Sequence, residues 1–339
     1  MIREVIADYI FLDGDGKFRT KNRVVTKVGS VISLSDFSVD GSSTGQASET
    51  GNTEVILRPV YHTKNPLRSI ESYLVLCETY DAVTNEPLPS NTRAAASKFF
   101  ELEEVESSDI WFGPEQEYYF QPRSRAISYC HPTRGAHYCG IRVDPTQQNI
   151  VDKHFEACMV AGLNFYGTNA EVSLNQWEFQ LGPSPGIIAA DQLIIARFLL
   201  EKIASNYSYA VFFEPKPFDN RHGSGCHINF STNLTRSPDG GADEILCLMP
   251  KFESTHADHI AVYGKGNEER LTGKCETAPI GTFSYGIGTR NTSMRISNQV
   301  MKDGCGYVED RRPAANVDPY LAMMRIARTI IIKETKVSF

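Results

Sequence analysis

The chain of 339 residues contains no basic run longer than two residues, and its net charge is −7. Nucleic acids and anionic membranes call for clustered positive charge, so neither is an expected partner. Long apolar runs are missing too. The most hydrophobic stretch, 186–206, is broken by Asp191, Gln192, Arg197 and Glu201, which excludes a membrane span there. The opening Met1-Ile2-Arg3-Glu4, followed by Asp8 and Asp13, has neither the apolar core nor the small-residue site of a signal peptide. Eight cysteines are scattered without a Cys-x-x-Cys pair, and without a leader they read as reduced thiols of a cytoplasmic protein. A Walker A loop is absent: Gly273-Lys274 lacks the upstream glycine and runs into Cys275. There is no Gly-x-Ser-x-Gly. Asp13-Gly14-Asp15-Gly16 imitates the start of a calcium loop, but its twelfth position is Val24, which makes it a turn. Cys130, His131, His137 and Cys139 match no common zinc spacing.

What is present is an ordinary globular composition, 41% hydrophobic and 22% charged. At roughly 150 residues per domain the length suggests about two domains. Alternation predicts strands at 3–12 and 22–28 around the Asp13–Gly16 turn, then at 54–60 and 71–80. Between them, Ser38 to Thr53 is rich in Gly, Ser and Thr and reads as a mobile loop. A helix is expected over 91–105. Asn85-Glu86-Pro87-Leu88-Pro89 reads as a connector, which gives domains of 1–86 and 87–339. The second part mixes strands at 115–121, 174–181, 209–214, 226–231 and 292–297 with helices at 149–163, 186–206 and 241–263. Inner helical faces are expected at Val151, Phe155, Cys158, Met159 and Gly162, and at Leu193, Ala196, Leu200 and Ile203. A last helix opens with Asp318 as N-cap and Pro319 in its first turn, with Tyr320, Met324, Ala327 and Ile331 inward.

The acids carry the functional signal. Glu115 and Glu117 are two apart in an otherwise aromatic strand, so they share one face at about 7 Å. In Gln176-Trp177-Glu178-Phe179-Gln180-Leu181, one face is apolar and the other is Gln176, Glu178 and Gln180. That polar face must line water, a metal or a polar ligand. The same alternation groups His227, Asn229 and Ser231. Clustered carboxylates raise one another's pKa unless cations neutralise them, and hard divalent ions with oxygen ligands do so. One imidazole among the ligands still permits Mg²⁺ or Mn²⁺. His256 and His259 fall three apart on a polar helix and read as a solvated face. Arg270, Arg290, Arg295, Arg311 and Arg312 gather in the last third. Facing the acids, they would form an anion site suited to phosphoryl transfer.

Seven segments, in order, resemble the glutamine synthetase family, specifically its shorter, eukaryotic-type class. They are Asp40-Gly41-Ser42-Ser43-Thr44, Trp111-Phe112-Gly113-Pro114-Glu115-Gln116-Glu117, Gly167-Thr168-Asn169-Ala170-Glu171, Gln176 to Gln180, Gly225 to Ser231, Arg270-Leu271-Thr272-Gly273, and Tyr307 to Pro313. The resemblance implies an α+β fold: a small N-terminal β-grasp-like domain plus a larger catalytic domain with a curved antiparallel sheet flanked by helices. It implies two stacked pentameric rings with active sites between subunits. Its implied activity joins ammonia to glutamate, with ATP as co-substrate, through a γ-glutamyl phosphate. It implies two or three Mg²⁺ or Mn²⁺ ions per site, one held by Glu115, His227 and Glu309 and another by Glu117, Glu171 and Glu178. Trp111, Asn229, Ser231, Arg236, Arg295 and Tyr307 fall at nucleotide positions. Arg270, Arg290, Arg311 and the loop residue Gly223 fall at glutamate positions. Asp40 matches the acid that deprotonates ammonium, and Glu276 the flap glutamate. The chain departs from the family at Cys275, where histidine is usual, at His222 before Gly223, and over Ser237 to Asp243; the usual N-terminal helix is absent. These departures motivate an alternative ligase that uses an organic amine. A non-catalytic ring-forming homologue would be expected to have lost metal ligands, and none is lost.

Overall fold

The computed structural model describes residues 2–123, 137–141, 143–219 and 221–331. The chain divides into two compact units, one of Met1–Lys98 with Glu156–Leu163, the other of Phe99–Phe155 with Asn164–Phe339.

The first unit is a six-stranded sheet. β1 (Ile2–Leu12) and β2 (Phe18–Val28) form the expected hairpin, with Asp13 opposite no residue and organising the turn. Its carboxylate accepts from the Asp15 and Lys17 amides and from Arg19 Nε at 2.8–3.0 Å, as a turn aspartate does. β3 (Val31–Ile32), β4 (Phe37–Asp40), β5 (Glu54–Lys64) and β6 (Ser72–Asp81) complete the order β3-β2-β1-β6-β5-β4. β1 and β6 run parallel and the other pairs antiparallel. One face buries Tyr9, Phe11, Leu57, Tyr73 and Val75. The Gly/Ser/Thr-rich segment is more built than its composition suggests. It starts as β4, makes a 3₁₀ turn at Ser42–Thr44, and is pinned where Gly41 N donates to Thr53 O at 2.6 Å and Gln46 donates to Leu12 O and Ser90 Oγ.

Helices α1 (Thr92–Phe100) and α2 (Glu103–Glu106) replace the single helix expected over 91–105. In the second unit, β7 (Trp111–Pro122) is the spine of a strongly curled, nine-stranded, mainly antiparallel sheet. Helix α3 (Pro145–Val160) precedes β8 (Phe165–Ala170) and β9 (Gln176–Leu181). Then come β10 (Ser184–Pro185), α4 (Gly186–Asn206), β11 (Tyr209–Phe212) and β12 (Cys226–Ser231). Helices α5 (Gly241–Ser254) and α6 (His256–Ile260) split the expected 241–263 helix at Thr255. β13 (Tyr285–Ile287), β14 (Met294–Ile296), α7 (Asn298–Asp303), β15 (Val308–Asp310) and α8 (Pro319–Ile331) finish the chain. The strand order is β13-β14-β15-β12-β7-β9-β8, with β10 and β11 also on β7.

Burial corrects several sequence expectations. Met159 is exposed, and Met324 and Ile331 are only half-buried, because the inner stripe of α8 passes through Tyr320, Met323, Ile326 and Ala327. Helix α4 is buried nearly all round, not on one stripe. Its polar residues are paired inside: Arg197 donates to Gln116 Oε1, Val317 O and Ala315 O, and Asp191 accepts from Tyr320 at 2.7 Å. His259 is fully buried between Tyr263 and Thr329, not on a solvated face. Among the described residues no helix is long and apolar enough to cross a membrane.

Candidate active site

Period-two alternation sends one set of β7, β9, β12 and β15 side chains into the core and the other into a cavity of about 900 Å³. Phe112, Tyr118, Phe179, Ile228 and Val308 take the core side. Glu115, Glu117, Glu178, His227, Asn229 and Glu309 take the cavity side. Register then sets the neighbours. Glu115 faces His227 on one flank and Gln180 on the other, and Glu117 faces Glu178. Glu309 faces Asn229, diagonal to His227. Glu171, just past the end of β8, closes the second group, its amide bonded to Gln176 O.

Two donor triplets result. In each, one ligand atom per residue lies within 4.8 Å of the others: Glu115, His227 and Glu309 in one, Glu117, Glu171 and Glu178 in the other. The first holds its own cations. Arg311 and Arg295 reach Glu309 at 2.5 and 3.0 Å, and His227 Nδ1 lies 3.3 Å from Glu309 and 3.7 Å from Glu115. Burial pushes the Glu309 carboxyl up, but His227, Arg311 and Arg295 outweigh it and hold it well below the usual range. Burial and Arg311 push His227 down, yet Glu115 and Glu309 raise it to about 9. Among the described residues the second triplet makes no salt bridge to a cation. Burial first, then Glu117, raises Glu171 to about 7, while burial, then Glu115, raises Glu178. Two carboxylates directly opposed across a ladder repel. Buried and oxygen-rich, this set has the donor chemistry of a hard divalent cation site, and the His-containing set has donor types compatible with a divalent ion.

Neighbouring amides aim the carboxylates. Asn229 donates to Glu115 at 2.7 Å, Gln180 to Glu178 at 2.7 Å, Asn169 to Glu171 at 2.9 Å and the Gly225 amide to Glu117 at 2.5 Å. Across the cavity stand Arg290, Arg295 and Arg311. Trp111, Ser231, Arg236 and Tyr307 also line it. Arg236 lies 5.4 Å over the Trp111 ring, donates to Ser231 and pairs with Asp109. Glu276, on the lining, pairs with Arg290 at 3.3 Å. Cys275 and Glu276 both have left-handed backbones (φ 51° and 63°), a strained turn for residues with side chains.

Three expected site residues do not line this cavity. Arg270 is buried behind His227, donating to the Arg311 and Arg312 carbonyls and lying 3.1 Å from His227 Nε2. Gly223 packs against it: a Cβ there would come within 2.7 Å of both Arg270 Cγ and Pro215 O. Asp40 belongs to the first unit, where its exposed carboxylate accepts from the Ser42 and Ser43 hydroxyls and is lowered chiefly by them. Cys130 and His131 lie outside the described residues. Sequence reasoning missed Tyr138, Tyr166 and Asp109 on the lining. Tyr166 sits in a β-bulge and Asp109 in a left-handed turn, and neither follows from alternation.

Fold and site together define a class: an α+β protein with two carboxylate-rich donor sets and a group of arginines lining one cavity. Comparison with known proteins narrows it. Residues 90–239 match the glutamine synthetase catalytic domain model. The chain is 42% identical to the cytosolic isozyme of glutamine synthetase from Pinus sylvestris and to cytosolic isozyme 1-1 from Oryza sativa subsp. japonica, each over 97% of this chain and 94% of the relative. The same identity and coverage hold for root isozyme 3 from Zea mays. The chain belongs to the glutamine synthetase family, whose members are glutamate–ammonia ligases.

Proposed function

We propose that this protein makes glutamine from glutamate and ammonia, consuming ATP through a γ-glutamyl phosphate. The observation that carries the reading is the pair of donor triplets facing Arg290, Arg295 and Arg311 across one cavity. Glu115, His227 and Glu309 would hold one Mg²⁺ or Mn²⁺, and Glu117, Glu171 and Glu178 another. When bound, these ions would neutralise the carboxylate wall and the phosphate oxygens.

The chain's own groups do the rest. Trp111, Asn229, Ser231, Arg236 and Tyr307 seat the nucleotide. Arg295 and Arg311 already lie against Glu309, where they can take up charge on a transferring phosphoryl group. A γ-carboxylate oxygen of glutamate attacks the γ-phosphorus, the bond to ADP breaks, and an acyl phosphate forms. Arg290 and Arg311 bind the amino acid, and Arg270 supports them from behind through the Arg311 carbonyl. With sites between subunits of the ring, Asp40 of a neighbouring copy would take the proton that makes ammonium a nucleophile. Ammonia attacks the acyl carbon and phosphate leaves with the carboxylate oxygen. Glu276, in its strained turn, closes the site against water that would hydrolyse the intermediate. The protein works in the cytoplasm, as its relatives' names say of them, on small molecules, assembled in two stacked pentameric rings.

The test is ADP release from ATP with glutamate and Mg²⁺, with and without ammonium, the products identified by mass. Ammonium-dependent release with glutamine formed supports the reading. Glutamate-dependent release without glutamine points instead to an organic amine, and no turnover by an assembled, metal-loaded protein contradicts it.

A further inference from the structure

The aromatic rim of the cavity is unexplained by carboxylates and arginines. Tyr166 is 79% exposed although it lines the cavity, and among the described residues its phenol has no hydrogen-bond partner. It occupies the bulge of β8: Phe165 pairs with Leu181 and Gly167 with Gln180, leaving Tyr166 opposite no residue. Phe165 turns inward and stacks on Phe179 at 5.8 Å. The bulge thus re-aims one aromatic ring from strand face to cavity mouth, a use of bulges common beside active sites. Gly182 and Pro183, next along the partner strand, line the same end. Tyr307, 48% exposed, lines the same cavity. Trp111 offers one face fewer, being covered by Arg236.

We propose that Tyr166 is a nucleotide-binding residue, stacking on the purine of ATP at the rim of the cavity it lines with Tyr307. This rests on the ATP-dependent reading above. The polar floor takes phosphates, and the rim gives the one part of the nucleotide that is flat and uncharged an aromatic partner. Stacking of a base on an aromatic ring makes Tyr166→Ala weaken ADP binding and raise the KM for ATP roughly five- to hundredfold, with kcat and the KM for glutamate unchanged. Tyr166→Phe, which keeps the ring, stays within about twofold. The probe is ADP with Mg²⁺, titrated calorimetrically against the assembled wild-type protein and both variants, alongside steady-state kinetics. An exposed side chain leaves folding unaffected, which equal melting temperatures check. Wild-type binding that Tyr166→Ala leaves unchanged overturns the assignment. Loss of binding in Tyr166→Phe as well would mean the hydroxyl, not the ring, is used, and overturns stacking. A wild-type protein that binds no ADP overturns the parent reading itself.

Discussion

Glu171 and Glu178 are carboxylates that folding alone does not favour. Glu117 opposes Glu178 across the ladder, and Glu171 and Glu178 are pushed upward by burial and by their neighbours. Glu178→Gln should therefore stabilise the metal-free protein by about 1 kcal/mol, the scale of one like-charge cross-strand pair. The same change should remove most of the stabilisation by Mg²⁺, which for the wild type reaches about 2.7 kcal/mol at a hundredfold excess over Kd. Metal-dependent turnover should fall by more than the roughly 10–100-fold typical of residues that merely support a ligand. Thermal melts with and without Mg²⁺ check both. Period two made the facing of Glu115, Glu117, Glu178, His227 and Asn229 legible in the sequence, because a strand leaves no other choice. Arg270 was not so legible. Its burial behind His227 depends on Gly223 and Gly225 leaving room: a Cβ on Gly225 would meet Arg270 Nη2 at 2.4 Å.

At the scale of elements, β15 shows how a three-residue strand is held firmly enough to aim Glu309 and Arg311. Its alternate residues face away from the cavity into a buried ion pair. Arg312 donates to both Asp310 oxygens at 2.9 and 2.7 Å, Tyr263 donates to Asp310 at 2.6 Å, and His256 and His259 extend the network to α6 and α8. Removing one partner strands a buried charge. Asp310→Asn and Arg312→Met should each cost about 3–5 kcal/mol, and the double variant less than their sum, as denaturant midpoints will show. The elements themselves were largely legible: the β1–β2 hairpin, β12 and α4 fall where alternation and helical periodicity put them. Which strands neighbour β7 was not, because β9 and β12 reach it only through the folded topology. The solvated face expected for His259 failed for the same reason: its polar neighbours in sequence do not reveal Thr329, seventy residues on.

For the molecule as a whole, two buried histidines set an acid limit. Burial lowers His154 to about 4; burial, then Arg312, lowers His259 to about 2, against an ordinary 6.5. Below about pH 6.5 the unfolded chain binds protons that the folded one refuses. Stability therefore falls as pH drops, by up to about 1.4 kcal/mol per unit for each histidine. Glu171 and Glu178 act with the opposite sign in this window, since the folded protein holds their protons more tightly. Comparing wild type with His154→Gln, whose amide can still donate to Ala196 O as the ring now bonds it at 2.9 Å, isolates the histidine. The variant should lose about 1.4 kcal/mol per unit of the wild-type slope between pH 6 and 5, where a slope identical in both would mean that His154 is protonated in the folded state.

The most direct measurement supplies glutamate labelled with ¹⁸O in its γ-carboxylate together with ATP, Mg²⁺ and ¹⁵N-ammonium. Ligation through an acyl phosphate predicts glutamine carrying ¹⁵N and one ¹⁸O atom in each phosphate released. Phosphate without the label, or ADP released with no ¹⁵N-glutamine formed, would contradict it.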